Sequence, residues 1–319
     1  MTHALPTPAS PLKIGTRGSP LALAQAHETR QRLMAAYDLP EGAFEIVVIV
    51  TTGDNSRMIA EDRPLKEIGN KGLFTKEIEE ALISGGIDIA VHSTKDMPTE
   101  QPAGLVLDCF LPREDVRDAF ISPEFGGISE LPQGAVVGTS SLRRRAQLRV
   151  ARPDLEVVEF RGNVQTRLRK LDEGVARATF LAYAGLRRLG RADVPATPIS
   201  PDEMLPAVAQ GAIGIEWRGD DSRVTALLEA IHDAATGQRL AAERAFLTAL
   251  DGSCETPIAG LAEIDGGSLR LRGEILRPDG SERLADDMRG AVEDGAEMGR
   301  AMAAGLLERA GPGFFDFRG

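Results

Sequence analysis

Cysteine is nearly missing from this chain: Cys109 and Cys254 are the only two in 319 residues. Two thiols cannot make the framework of a disulfide-stapled protein. No run of about 18 apolar residues occurs, so no segment reads as a membrane-spanning helix and no membrane partner is expected. The first ten residues, Met-Thr-His-Ala-Leu-Pro-Thr-Pro-Ala-Ser, lack a basic stretch followed by an apolar core. They do not read as a signal peptide, and the expected compartment is cytoplasmic. Aromatic residues make up only 4% of the chain and the net charge is -11. Without stacking side chains or a helix-turn-helix, zinc-finger or RNP pattern, no nucleic-acid partner is expected. Walker and dinucleotide-binding glycine motifs are absent. The four histidines, His3, His27, His92 and His232, are scattered with no metal-ligand spacing, so no metal is expected.

What the chain does have is a basic island in an acidic background. From Arg143 to Lys170 eight arginines and one lysine face Asp154, Glu156 and Glu159, a net +6 that leaves -17 elsewhere. The island opens on Ser140-Ser141-Leu-Arg-Arg-Arg, directly after the apolar Ala135-Val-Val-Gly-Thr139. A strand ending in hydroxyls, with a helix beginning behind them, leaves capped backbone N–H groups to face an anion. Arginine forks suit carboxylates. A small ligand with several carboxylates or phosphates fits this pattern, and so does an Arg-rich helix face turned to solvent.

Strand-length apolar runs alternate with helical patterns, which predicts α/β units. Expected strands are Leu12–Ile14, Glu45–Val50, Ile87–Val91, Leu105–Phe110, Ala135–Val137, Glu156–Phe160 and Thr179–Ala182. Ligands of open α/β sheets collect at the C-terminal ends of strands. Ile14-Gly-Thr-Arg-Gly-Ser19 and Val137-Gly-Thr-Ser-Ser141 both read strand, Gly-Thr, hydroxyl, helix, which suggests two lobes that open alike. After residue 232 the pattern changes to a helix over Gly237–Leu250, short apolar runs broken by Gly turns over 258–290, and a helix over Ala291–Ala310. That predicts a small α+β domain with an antiparallel sheet. Cys109 lies in an apolar run and reads as packing. Cys254 lies in the turn-rich Asp-Gly-Ser-Cys-Glu-Thr-Pro, where a thiol is open to chemistry.

The chain resembles the porphobilinogen deaminase (hydroxymethylbilane synthase) family along nearly its whole length. The carrying motifs are Ile14-Gly-Thr-Arg-Gly-Ser-Pro-Leu-Ala, Gly69-Asn-Lys-Gly-Leu-Phe, Ala90-Val-His-Ser-Thr-Lys-Asp-Met-Pro, Gly138-Thr-Ser-Ser-Leu-Arg-Arg, Arg161-Gly-Asn-Val-Gln-Thr-Arg-Leu, Ala184-Gly-Leu-Arg-Arg-Leu-Gly and Ala209-Gln-Gly-Ala-Ile-Gly-Ile-Glu. The resemblance implies two periplasmic-binding-protein-like α/β lobes with a cleft, plus a small C-terminal α+β domain. The implied boundaries are 1–111 with 212–230 for the first lobe, 112–211 for the second and 231–319 for the third domain. It implies a monomeric transferase of tetrapyrrole synthesis that joins four porphobilinogen molecules head to tail and releases four ammonia. The growing chain hangs on a dipyrromethane cofactor, which the resemblance attaches to Cys254. It makes Asp96 catalytic. As cofactor- and substrate-binding residues it implies Arg17, Ser19, Lys71, Lys95, Thr139, Ser140, Ser141, Arg143, Arg144, Arg161, Arg167 and Arg188, with Gln210 as a backbone or cofactor contact.

Read alone, Asp96 also suits a helix cap before Met97-Pro98, and Lys95 suits an exposed surface position. Residues 55–70 are similar to the family's cleft loop, but Glu67 stands where a lysine is often found, next to Lys66. Ala176-Arg-Ala-Thr replaces an acidic residue that commonly precedes that strand. Two other readings remain open: a two-lobed anion-binding protein without catalysis, and a cysteine acyl transferase with His92 or His232 near its thiol.

Overall fold

The computed structural model describes residues 4–52, 75–252 and 256–316. These divide into two compact units, one of residues up to Glu114 with Ala212–Gly237, the other of Asp115–Gly211 with Gln238 onward. The division between Gly237 and Gln238 falls inside the helix Ala234–Ala249.

In the first unit five strands form one sheet: β1 (Leu12–Arg17), β2 (Phe44–Ile49), β3 (Ile89–Ser93), β4 (Leu105–Phe110) and β10 (Ile213–Arg218), in the order β2-β1-β3-β10-β4. β1 runs parallel to both β2 and β3, while β10 is antiparallel to β3 and β4. Helix α1 (Pro20–Tyr37) follows β1, with Ser19 as N-cap and Pro20 at the first helical position. Helix α2 (Lys76–Ile83) precedes β3. The core gathers Leu12, Ile14, Leu33, Ile89, Val91, Ile213, Ile215 and Trp217.

The second unit repeats this plan. Its strands are β5 (Asp118–Ile121), β6 (Val136–Gly138), β7 (Glu156–Val158), β8 (Ala178–Ala182) and β9 (Ala196–Pro198), in the order β7-β6-β8-β5-β9. β6 is parallel to β7 and β8, and β5 is antiparallel to β8 and β9. Each sheet therefore has three parallel strands, with the first in the middle, and then an inserted antiparallel strand. The corresponding first strands are β1 and β6, the two that carry the Gly-Thr-hydroxyl echo. Helices α3 (Leu142–Ala151), α4 (Val164–Asp172) and α5 (Tyr183–Arg188) follow β6, β7 and β8. Strand alternation puts Phe120 and Phe180 on one face, their rings edge to face at 6.0 Å, and Ile121, Phe160 and Leu181 in the core of the other.

The expected antiparallel sheet is β11 (Ile258–Asp265), β12 (Ser268–Leu276) and β13 (Arg283–Ala291). It belongs to the same compact unit as the second α/β sheet. Helices α6 (Ser222–Glu229), α7 (Ala234–Ala249) and α8 (Gly295–Ala310) complete the order. A Cβ at Gly273 would stand 2.5 Å from Met302 Sδ of α8 and 2.7 Å from Phe246 of α7, so this glycine sets the close packing of sheet and helices.

Strands β5, β9 and β10 were not among those the sequence predicts. β9 ends in Pro198, which a strand tolerates at a sheet edge, and β9 is the edge here. Among the described residues no helix is long and apolar enough to cross a membrane.

Candidate active site

In the first unit, parallel pairing puts the C-terminal ends of β1 and β3 on one rim. Arg17 ends β1 and is half-buried. Ser19 Oγ accepts the Ala22 N–H at 3.2 Å, and Thr16 Oγ1 donates to the Ala22 carbonyl at 3.2 Å, so the β1–α1 turn is tied from both sides. Gln25, buried on α1, donates from Nε2 to Ser93 Oγ at 2.8 Å.

β3 ends at Ser93 and passes into the 3-10 turn Thr94–Asp96. The Thr94 N–H donates to the Ala212 carbonyl and the Met97 N–H to the Thr94 carbonyl, each at 3.1 Å. Thr94 and Met97 are buried, Lys95 is half-buried and Asp96 is exposed. Buried neighbours on both sides thus hold the Asp96 carboxylate at the tip of a pinned turn. No helix follows, since residues 97–104 are irregular. The helix-cap reading of Asp96 is therefore corrected: the backbone is extended at Met97, directly after it. Arg17, Ser19, Gln25, His92, Ser93 and Asp96 line one cavity of ≈ 80 Å³.

In the second unit, β6, β7 and β8 likewise share a rim. Just beyond β6, Thr139 Oγ1 accepts the Ser141 N–H at 3.2 Å, Ser140 Oγ accepts the Phe160 N–H at 3.0 Å, and Ser141 Oγ caps α3 by accepting the Arg144 N–H at 3.4 Å. A hydroxyl that accepts in this way still has its own proton to donate. A Cβ at Gly138 would lie 2.4 Å from the Phe160 ring, which explains glycine at the strand end. The Ser140–Phe160 bond sets the hydroxyl turn beside the loop that carries Arg161. Next to Arg161, Gly162 has φ +112, Asn163 caps α4 through the Thr166 N–H at 2.9 Å, and Arg167 Nε donates to the Gly162 carbonyl at 2.9 Å. Arg188 Nη2 donates to the Gly211 carbonyl at 3.0 Å.

Arg143 and Arg144 occupy a different place from the one the sequence suggests. Both are buried against the fully buried Asp118 at the head of β5. Arg143 Nη1 lies 2.8 Å from Asp118 Oδ2, and Arg144 Nη2 lies 2.6 Å from Oδ1. Arg143 also donates to Gln147 Oε1 at 3.0 Å and to the Leu205 carbonyl at 2.9 Å, and Arg144 to the Phe180 carbonyl at 2.9 Å. Gln210, buried as well, donates to Asp118 Oδ1 at 3.1 Å and to the Val116 carbonyl at 2.9 Å. Burial alone would raise the Asp118 pKa, but the two guanidinium groups outweigh it and hold the carboxyl well below the usual carboxylate range. These arginines form a fixed positive layer behind the hydroxyl turn, two cations on one anion, rather than forks presented at the surface.

The rest of the basic island pairs internally. Arg145 meets Glu159, Arg152 meets Asp154 and Arg169 meets Glu173, while Arg149 donates to the Pro278 carbonyl. Of these four only Arg169 is exposed, as a solvated face requires; Arg145, Arg149 and Arg152 are half-buried. Lys71 and Cys254, and the loop with Lys66 and Glu67, lie outside the described residues. Cys109 is buried, and burial pushes its thiol up to about 12. The sequence reading missed Asp118, Gln25 and the buried His92–Glu216 pair. Asp118 carries no turn or motif signal, and Gln25 shows only as a polar position on the buried side of α1.

Two family descriptions match the chain. "Porphobilinogen deaminase, dipyromethane cofactor binding domain" matches residues 12–226, and "Porphobilinogen deaminase, C-terminal domain" matches residues 238–308. Porphobilinogen deaminase of Paracoccus denitrificans (strain Pd 1222) is 67% identical over 313 residues, covering 98% of this chain and 99% of its own length. Among solved structures, a nutrient binding protein from Burkholderia cenocepacia bound to methionine covers 71% of this chain and 93% of its own, at 15% identity and TM-score 0.42. The methionine binding protein MetQ covers 70% and 91%, at 15% identity and TM-score 0.41. Overlaps that loose carry no inference about this chain's ligand.

Proposed function

The chain belongs to the porphobilinogen deaminase family, and from that membership we propose how its residues divide the work. It is a transferase of tetrapyrrole synthesis that condenses four porphobilinogens into hydroxymethylbilane with loss of four ammonia. The family description includes a dipyrromethane-binding domain. The donor set of the second unit suits such a group. Two pyrroles bear four carboxylates between them, and the hydroxyls of Thr139, Ser140 and Ser141, with Arg161, Arg167 and Arg188, are anion-binding groups. Arg143 and Arg144 support them with charge in excess of Asp118, and Gln210 completes that buried cluster. Cys254 is the proposed attachment point, through a thioether, and Lys71 a further carboxylate partner. When bound, the cofactor supplies the pyrrole α-carbon on which the product is built.

The catalytic assignment rests on one observation: Asp96 stands exposed on a pinned turn, in the wall of a cavity it shares with Arg17 and Ser19. Loss of ammonia from porphobilinogen leaves a methylene cation whose charge spreads to the pyrrole N–H. A fixed carboxylate binds that N–H more strongly as the charge develops, which is the condition for acceleration. Asp96 can also take the proton lost when the new C–C bond forms. Arg17, Ser19 and Lys95 orient the acetate and propionate. The expected compartment remains cytoplasmic and the expected state a monomer.

Ammonia release measured against porphobilinogen consumed tests the reading. One ammonia per porphobilinogen, and hydroxymethylbilane as product, is expected. Binding of porphobilinogen without ammonia release would instead favour the non-catalytic anion-binding protein.

A further inference from the structure

His92, which lines the same cavity as Asp96, belongs to a buried acid–base pair. His92 on β3 and Glu216 on β10 lie on adjacent antiparallel strands, with His92 opposite Gly214 and Ala90 opposite Glu216. Their side chains share a face, and His92 Nε2 is 3.1 Å from Glu216 Oε2. Glu216 is fully buried and His92 is 6% exposed. Glu216 Oε1 has no hydrogen-bond partner among the described residues. A buried carboxylate left half-satisfied destabilises a fold, and an apolar side chain on β10 would pack there at less cost.

A third titratable group completes the cluster. Burial first, and the neighbouring Glu216 charge second, raise the pKa of the Glu79 carboxyl on α2, against the pull of the Thr75 hydroxyl and His92. The charged groups around His92 are thus Glu79 from α2, Glu216 from β10, Arg17 from the end of β1, and Lys95 and Asp96 from the turn. From α1, Gln25 reaches the same cavity. No set of three or more His, Cys, Asp or Glu side chains among the described residues is arranged to hold a metal ion.

We propose that the His92–Glu216 pair holds and passes on the proton that each condensation releases at the Asp96 cavity. The inference rests on the porphobilinogen deaminase reading. In each cycle the C–N bond of the protonated aminomethyl group breaks and its electron pair leaves with neutral ammonia. A C–C bond forms from the methylene to the free α-carbon of the acceptor pyrrole. The α C–H bond then breaks, its electron pair restores the aromatic ring, and the proton goes to Asp96. Asp96 must be ionised again before the next cation forms, so a proton has to leave it between successive condensations, three times within one product. His92 and Glu216 act through Asp96, as the next acceptor for that proton.

The test is a single-turnover experiment on cofactor-loaded wild type, His92→Gln and Glu216→Gln, each first checked for cofactor by intact mass. Chain extension is read by quench and mass spectrometry, and proton release by an indicator dye in weak buffer. The neutral ammonia takes up a proton near neutral pH, so release in step with chain extension leaves the dye unchanged; in wild type the condensation proton should lag behind chain extension, seen as a transient net uptake of a proton per active site. In both variants the lag should vanish, kcat should fall by at least ~10²-fold as for loss of an acid–base group, and its pH profile should change shape. If wild type releases its proton in step with chain extension, the inference is overturned, whether or not the variants fold. Loaded variants with the wild-type lag and pH profile would overturn it too. Wild type that carries no added mass and extends no chain would instead sink the underlying reading.

Discussion

Asp96 is the residue on which the proposed catalysis turns. Asp96→Asn keeps size and some hydrogen bonding but removes the charge facing the developing cation; kcat should fall by ~10²–10⁴-fold. Asp96→Glu keeps the charge and moves it by a methylene, for a loss of ~10²-fold. Both should keep their cofactor and fold, because the turn is held by Thr94, Met97 and Ala212 rather than by the Asp96 side chain. A steady-state assay with an intact-mass control checks this. Turnover of Asp96→Asn within a few-fold of wild type would leave Asp96 as a surface acid. The two cysteines should differ as sharply. Cys109 is buried with its thiol pushed up to about 12, and thiolate is the reactive form, so it should resist alkylation in the folded protein near pH 8. Peptide mapping after labelling reads the outcome, and Cys109→Ala should retain activity.

Among the elements, the strand–turn–helix from β6 to α3 joins the binding chemistry to the fold. Its hydroxyls shape the turn, and its first two arginines hold Asp118. Asp118→Asn would leave two buried guanidinium groups without their counter-charge, a loss of about 3–5 kcal/mol. The sign with pH follows from the depressed pKa of Asp118. Its contribution is fully present above the unfolded carboxylate value near ~4 and fades as pH falls through the lower folded value. Denaturant unfolding should therefore show a large gap between wild type and Asp118→Asn at pH 7, and a narrowing gap below about pH 4. A constant gap would contradict the ion cluster. Arg143→Leu should likewise lose stability as well as cofactor content, since Arg143 has protein partners on three sides.

The same elements mark what can be read from sequence. β1 and β6 are legible because an apolar run ends at Gly-Thr and a capped helix follows, and the structure gives them the same place in two like sheets, each in the middle of three parallel strands. The 258–290 alternation correctly announces β11 to β13. β5 and β10 escape notice because each is short or interrupted: Asp-Ala-Phe-Ile is four residues, and Ile-Gly-Ile-Glu-Trp-Arg carries a glycine and a buried acid. Buried polar chemistry is the least legible. Asp118 and Glu216 look like ordinary surface acids until the strands that bury them are paired. The arginine run announced an anion site, yet Arg143 and Arg144 turned inward because a partner 25 residues upstream draws them there.

At the scale of the whole molecule, a chain of net charge -11 concentrates its positive charge in one stretch. Within it Arg145 and Arg152 pair with the stretch's own Glu159 and Asp154, while Arg143 and Arg144 pair with Asp118 and Arg169 with Glu173 outside it; we propose Arg161, Arg167 and the hydroxyl turn as the ligand-facing part. The chain matches its Paracoccus relative over nearly its entire length. On the proposed attachment, this chain builds its product on a group bound to itself. Intact-mass spectrometry of the denatured, active protein tests that claim most directly. Wild type and Cys109→Ala should be heavier than the bare chain by two linked pyrrole units, and Cys254→Ala should have the bare mass and no activity. Active protein at the bare chain mass, or a Cys254→Ala variant that keeps the added mass, would contradict it.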